Sequence, residues 1–256
     1  MGQKLYIIGY MIKIDSQTSS VLLPQDLLRK AANEYYPDVN GIIHCEPNFK
    51  DGEPYWTSDC FRVRGKIEGH PSVVFYAQPS WGNHFARLYG EDKVKCVTYA
   101  HDPDIHHPVD VKEIYDVGFI GNVQDGDGRK EYLDAIQNEF NCFISSTTPT
   151  DKISTELSKC KVLFNHIRYE EINIRFFESL AIGVQVCSRK PSLGLFATEG
   201  LSYLTFSSIP EAISQIKMLL KRDDLRQKLK KKAQKEAENH TYFHRITAML
   251  PFLQFK

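Results

Sequence analysis

No CxxC pair and no histidine–cysteine cluster at metal-ligand spacing occurs in this sequence, which argues against a structural zinc site. Its six cysteines (Cys45, Cys60, Cys96, Cys142, Cys160 and Cys187) are scattered, mostly in or beside apolar runs where cysteine acts as a small hydrophobe. No apolar run is long enough to cross a bilayer, and the opening MGQKLYIIGYMIKID meets charge too early for a signal peptide. These absences point to a reduced, cytoplasmic protein without a membrane span. Net charge is missing too: 32 Lys and Arg balance 32 Asp and Glu, so no global field draws in nucleic acid or anionic lipid. Repeats and low-complexity tracts are absent.

What is there is a chain of 256 residues, enough for one large domain or two ordinary ones. The clearest join is Tyr99 to Val111, YAHDPDIHHPVDV, which lacks either periodicity and whose prolines stiffen the residues before them. It suggests a first lobe over 1–108, a second over 109–240 and a terminal segment over 241–256. The second lobe alternates regularly. Strands are expected at Tyr115–Ile120, Asn141–Ser145, Val162–Asn165, Val184–Cys187 and Tyr203–Phe206. Helices are expected at Arg129–Phe140, from the Thr148-Pro149-Thr150-Asp151 start to Cys160, at Asn173–Ile182, and after the capping box that begins at Ser208. This alternation is the mark of an α/β lobe with a parallel sheet covered on both faces. In the first lobe, Lys4–Ile12, Gly41–Cys45, Val73–Ala77 and Val94–Tyr99 read as strands and Gln25–Tyr35 as a helix.

Open α/β sheets bind ligands where strands end. Gly121-Asn122 follows the first strand of the second lobe, and Arg129 stands in the first turn of the next helix. Backbone N–H groups, a positive helix end and a guanidinium can together hold a diphosphate; the plainer reading of Gly121 is a turn. A second loop, HIRYEEINIRFFESLAIG, begins at His166. Glu170 would lie at the mouth of the following helix and Glu178 inside it, placed to accept hydroxyls from both ends of a nucleotide sugar, with Arg175 towards the phosphates. The plainer reading is an i,i+4 pair, Glu171 with Arg175, on a solvated face.

The stretch resembles the Glu-x7-Glu donor element of retaining GT-B glycosyltransferases. The wider set, YDVGFIGN with an arginine after it, NIRFFESLAIG, HTYFHRITAML and the linker AHDPDIHHP, resembles the CgeB-like branch of family-1 glycosyl transferases. Similarity covers roughly Trp56 to the C-terminus. It implies a GT-B-like architecture: two Rossmann-like lobes with parallel sheets, the first reduced here, chemistry in the cleft, and a C-terminal helix that crosses back. It implies a glycosyltransferase that takes a nucleoside diphosphate sugar, a UDP-sugar first among them, as co-substrate, with no other cofactor. By motif position, Gly121, Asn122 and Arg129 would lie near the diphosphate. Asn173, Arg175 and Glu178 would hold the donor, Glu178 through the ribose. His101 and His166 join the donor side, and Glu170 or Glu171 would sit near the transferred sugar. The glycine-rich loop that many such enzymes carry after their first strand is not evident.

In the first lobe, Asp59 and His84 are candidate catalytic groups, with a surface aspartate and a packed histidine as the plainer alternatives. His106 and His107 read as linker residues. The Asp102-Pro103-Asp104 and Asp125-Gly126-Asp127 triplets read as turns, and no essential metal is expected. The basic segment Lys217–Lys235 keeps apolar residues at helical spacing and reads as a solvated helix face. The acceptor stays open: a glycan, a protein or a nucleic-acid base. Other functions consistent with the same residues are a sugar-nucleotide epimerase or hydrolase, and a non-catalytic sugar- or nucleotide-binding protein.

Overall fold

A computed structural model describes residues 6–8, 48–50, 53–55, 74–123, 128–167, 172–249 and 251. The chain divides into two compact units, one made of Met1–Thr98 with Arg245–Lys256, the other of Tyr99–His244. The segment 99–108, which the sequence suggested for the first lobe, therefore belongs to the second. The physical reason is a set of hydrogen bonds to the helix Ile153–Ser158. Ser154 Oγ donates to the Ile105 carbonyl and accepts from the His107 N–H, and Ser158 Oγ accepts from the Val109 N–H. Ser154 and Ser158 are one helical turn apart and both buried, so one face of that helix satisfies the linker backbone.

In the first unit, β1 (Tyr6–Ile8), β4 (Val74–Tyr76) and β5 (Val94–Cys96) form a parallel sheet in the order β1-β4-β5. Helix α1 (Gly82–Tyr89) lies between β4 and β5 in the chain. Strands β2 (Asn48–Lys50) and β3 (Glu53–Tyr55) pair antiparallel. That hairpin is absent from the sequence reading, although the Asp51-Gly52 dipeptide between the two strands is the strongest short-range signal for one. The helix expected at Gln25–Tyr35 and the strand at Gly41–Cys45 lie outside the described residues.

The second unit has five parallel strands: β6 (Tyr115–Ile120), β7 (Cys142–Ser145), β8 (Cys160–Asn165), β9 (Gln185–Ser188) and β10 (Tyr203–Phe206). Their order is β10-β9-β8-β6-β7. Helices α2 (Arg129–Gln137), α3 (Ile153–Ser158), α4 (Ile174–Ile182), α5 (Ile209–Lys221) and α6 (Asp223–Ala237) complete it; of α7 (Tyr242–Met249), Tyr242–His244 belong to this unit and Arg245–Met249 to the first.

Both faces of this sheet are covered, which is why its strands are almost continuously apolar. On one face Val117, Phe119, Val162, Phe164 and Val186 pack with Leu133 and Ile136 of α2 and with Ala212, Ile216 and Leu219 of α5. On the other, Ile120 and Leu163 meet Leu157 of α3 and Ile182 of α4. There too, Phe176, Phe177 and Leu180 of α4 meet Ala233 and Ala237 of α6. Gly118 of β6 faces side chains of β8: a Cβ there would stand 2.5 Å from Cys160 Sγ.

One local expectation differs at its edge. No side chain caps the helix expected after Thr148; the chain enters α3 through a 3₁₀ turn, Thr150–Lys152, with Pro149 before it. The Ser208 box forms as read, Ser208 Oγ accepting from the Glu211 N–H. The basic segment is a solvated helix face. Leu229, Ala233 and Ala237 are buried, while Lys232 and Lys235 pair with Glu236 and Glu238 on α6 or at its end. No helix among the described residues is long and apolar enough to cross a membrane.

Candidate functional site

Strand order places a topological switch between β6 and β8. From β6 the chain steps to β7 on one side, then returns past β6 to β8, β9 and β10 on the other. The connections after β6 and β8 diverge there, and their carboxyl ends border the crevice where doubly wound sheets take ligands.

Arg129 ties those two ends together. From the first turn of α2 its Nη1 donates to the Asn122 carbonyl and its Nη2 to the His166 carbonyl, both at 2.7 Å. The guanidinium carbon lies 5.4 Å from the centre of the Phe119 ring, and the residue is buried. Gly121, Asn122, Arg129 and His166 are thus brought together. The His166 ring packs on Tyr132, 4.8 Å between centroids, and stacks on Phe206. A glycine in the left-handed region, Gly128 at φ 72°, stands immediately before α2.

Asn173 is the N-cap of α4. Its Oδ1 accepts from the Phe176 N–H, and its amide exchanges two hydrogen bonds with Asn165, the last residue of β8. The side chain expected to hold a donor is thereby the one that fixes α4 to the end of β8.

Glu178, one turn into α4, is 6% exposed. Its Oε2 lies 2.6 Å from Arg175 Nη1, and its Oε1 lies 3.2 Å from His106 Nε2. Burial alone would raise the carboxyl pKa. The Arg175 guanidinium, then the His106 ring and more weakly the His101 ring, overcome this and hold it at about 2. The i,i+4 alternative, Glu171 with Arg175, lies outside the described residues at Glu171; Arg175 is engaged with Glu178.

His106, read from sequence as a linker residue, is the group that sequence reasoning missed. A signal existed: a histidine in a proline-bounded, non-periodic stretch is held by its turn and not by an apolar face. His101 is buried and differently engaged. Its Nε2 meets the Ala237 carbonyl at 3.0 Å, its backbone pairs with His240 and Tyr242, and burial lowers its pKa. It anchors the linker to the end of α6.

The Asp102 triplet is a turn, with Asp102 Oδ1 accepting from the Asp104 N–H. Among the described residues, no three His, Cys, Asp or Glu side chains gather into a cation site. His84 lies in α1. Asp59, Glu170 and the Asp125 triplet lie outside the described residues. Burial pushes the Cys160 thiol up to about 12 and Cys142 to about 11, so neither is a nucleophile near neutral pH.

Residues 105–251 match a family model described as glycosyl transferase-like. Solved structures similar to this chain include three of low identity. A glycosyltransferase from Rickettsia africae is 8% identical over 98% of this chain and 97% of its own, with a TM-score of 0.58. Anabaena Alr3699/HepE in complex with UDP is 10% identical over 90% and 77%, also at 0.58. Sucrose-phosphate synthase of Thermosynechococcus elongatus is 11% identical over 71% and 57%, at 0.55. The chain spans less than two thirds of some of these relatives, 57% of that synthase and 43% of TarM. At such identities the likeness is one of fold. No curated protein matches.

Proposed function

Because the chain belongs to the glycosyl transferase-like family, with the parallel α/β fold of GT-B glycosyltransferases, we propose that it moves a sugar from a nucleoside diphosphate sugar to an acceptor. The observation that carries this reading is the convergence at the β6/β8 switch. Two strand-end loops are tied by Arg129, and α4, which follows the second of those loops in the chain, holds a buried carboxylate and a guanidinium in its N-terminal half.

In this reading the diphosphate lies by Gly121, Asn122 and Arg129. Arg129 holds in place the two loops whose backbone would meet the phosphate oxygens. Arg175 faces the donor while neutralising Glu178. Glu178 accepts the ribose hydroxyls, Asn173 sets the α4 terminus that meets the donor, and Glu170 stands by the transferred sugar. His101 and His166 support this floor. Departure of the diphosphate is stabilised by arginines and backbone N–H groups, without a metal. A UDP-sugar is the favoured donor, since HepE and TarM have been seen with UDP. The Glu-x7-Glu spacing favours retention, and Asp59 and His84 are the candidate catalytic groups of the first unit. The motif set favours the CgeB-like branch, and the reaction is assigned to the cytoplasm.

A thermal-shift panel of UDP, ADP, GDP and their sugars tests this. A true donor well above its Kd raises stability by about 2–4 kcal/mol. The Glu178→Gln variant loses most of that shift, and slow hydrolysis of the hit survives EDTA. A panel without any shift overturns the reading.

A further inference from the structure

Glu178 is clamped at two points, and only one of them comes from its own helix. Arg175, three residues earlier on α4, engages Oε2. A carboxylate held at one oxygen still turns about its terminal bond, whose rotation is broad. The second point, His106 Nε2 on Oε1, removes that freedom.

The histidine is itself built to donate there. Its Nδ1 accepts the Asp102 N–H at 3.2 Å, so the neutral ring carries its proton on Nε2, the nitrogen facing Glu178. The turn beneath it is closed several times over. The Ile105 and His106 N–H groups both donate to the Asp102 carbonyl, and the Asp104 N–H donates to Asp102 Oδ1. Ser154 Oγ takes up the Ile105 carbonyl and the His107 N–H. The ring is 6% exposed, so it has no solvent-facing alternative.

We propose that His106 is a positioning residue for donor binding: its Nε2–H holds the Glu178 carboxylate in the orientation that accepts the ribose hydroxyls of a nucleoside diphosphate. This rests on the reading above that Glu178 meets the ribose. A segment outside the sheet and its helices then sets the geometry of the sugar-reading group, and the linker is part of the donor site.

Calorimetric titration of UDP, ADP and GDP, each beside its 2′,3′-dideoxy counterpart, separates this from a merely structural role. The wild-type protein is expected to bind its preferred ribonucleotide about tenfold more tightly than the dideoxy form, the scale of a hydroxyl–carboxylate hydrogen bond. In H106F that discrimination collapses to less than about twofold while dideoxy affinity hardly changes. H106Q, which keeps an N–H near the Nε2 place, restores most of it. Should H106F fail to fold, H106A carries the same comparison. Retained discrimination in the variant overturns the proposal, as does a parallel loss for both ligand forms. Wild-type protein that binds no nucleoside diphosphate, or binds both forms equally, overturns the ribose reading of Glu178 and this inference with it.

Discussion

Asn165 and Asn173 hold each other by two amide hydrogen bonds, Nδ2 of each donating to Oδ1 of the other at 3.2 and 3.0 Å. One ends β8, the other begins α4, so this pair sets where the helix starts relative to the sheet. Asn173→Ala removes the N-cap acceptor and leaves the buried Asn165 amide without its partner. The expected loss is about 2–3 kcal/mol in a urea titration. Asn173→Asp, which keeps an oxygen for the Phe176 N–H, loses less.

Arg129 acts as a fork across two carbonyls, and an ammonium cannot span both. Arg129→Lys is therefore expected to destabilise the protein by about 1–3 kcal/mol. Hydrogen exchange should quicken at residues 121–123 and 166–167 before the rest of the sheet. Unchanged exchange there would show that the loops are held by other contacts.

The Glu178 carboxyl is held at about 2 in the fold against an ordinary 4.5. A depressed folded-state pKa contributes stability that is fully present above pH 4.5 and lost as pH falls towards 2. The contribution is of the order of 3 kcal/mol, from roughly 1.4 kcal/mol per unit. Urea midpoints measured between neutral pH and pH 3 should fall for the wild-type protein. Glu178→Gln starts less stable, because Arg175 and His106 lose their anion, and loses correspondingly less on acidification.

Gly118→Ala would place a methyl group 2.5 Å from Cys160 Sγ and 2.8 Å from its Cβ in the middle of the sheet. Neither strand can retreat without breaking the β6–β8 pairing, so a loss of about 1–3 kcal/mol is expected. Combining it with Cys160→Ala, which removes the opposing sulfur, should recover part of the loss. Additive losses would mean that the strain is taken up elsewhere.

Much of the second unit was legible before any coordinates. Tyr115–Ile120 and Tyr203–Phe206 are the observed strands, residue for residue. Ser208 caps α5 as its box implied, and the helix expected at Asn173–Ile182 runs over Ile174–Ile182 with Asn173 as its N-cap. The start of α3 was misread because proline and a hydroxyl mark a helix entry without saying whether its first turn closes as α or 3₁₀. The β2–β3 hairpin does not show in the periodicity because its strands carry Asn48, Lys50, Glu53 and Pro54, residues poor in strand propensity.

At the candidate site, the sequence by itself determined which residues stand at strand ends and helix starts: Gly121 and Asn122 after β6, His166 after β8, and Asn173, Arg175 and Glu178 around the first turns of α4. Local periodicity and capping are properties of neighbours in the chain, so they can be read along it. Only the tertiary structure decided what those residues touch. It put β8 beside β6, gave Arg129 two carbonyls from separate loops, and brought His106 from a non-periodic linker onto Glu178. Such contacts depend on strand order and on which backbone groups need partners after packing, and no spacing within the sequence encodes either.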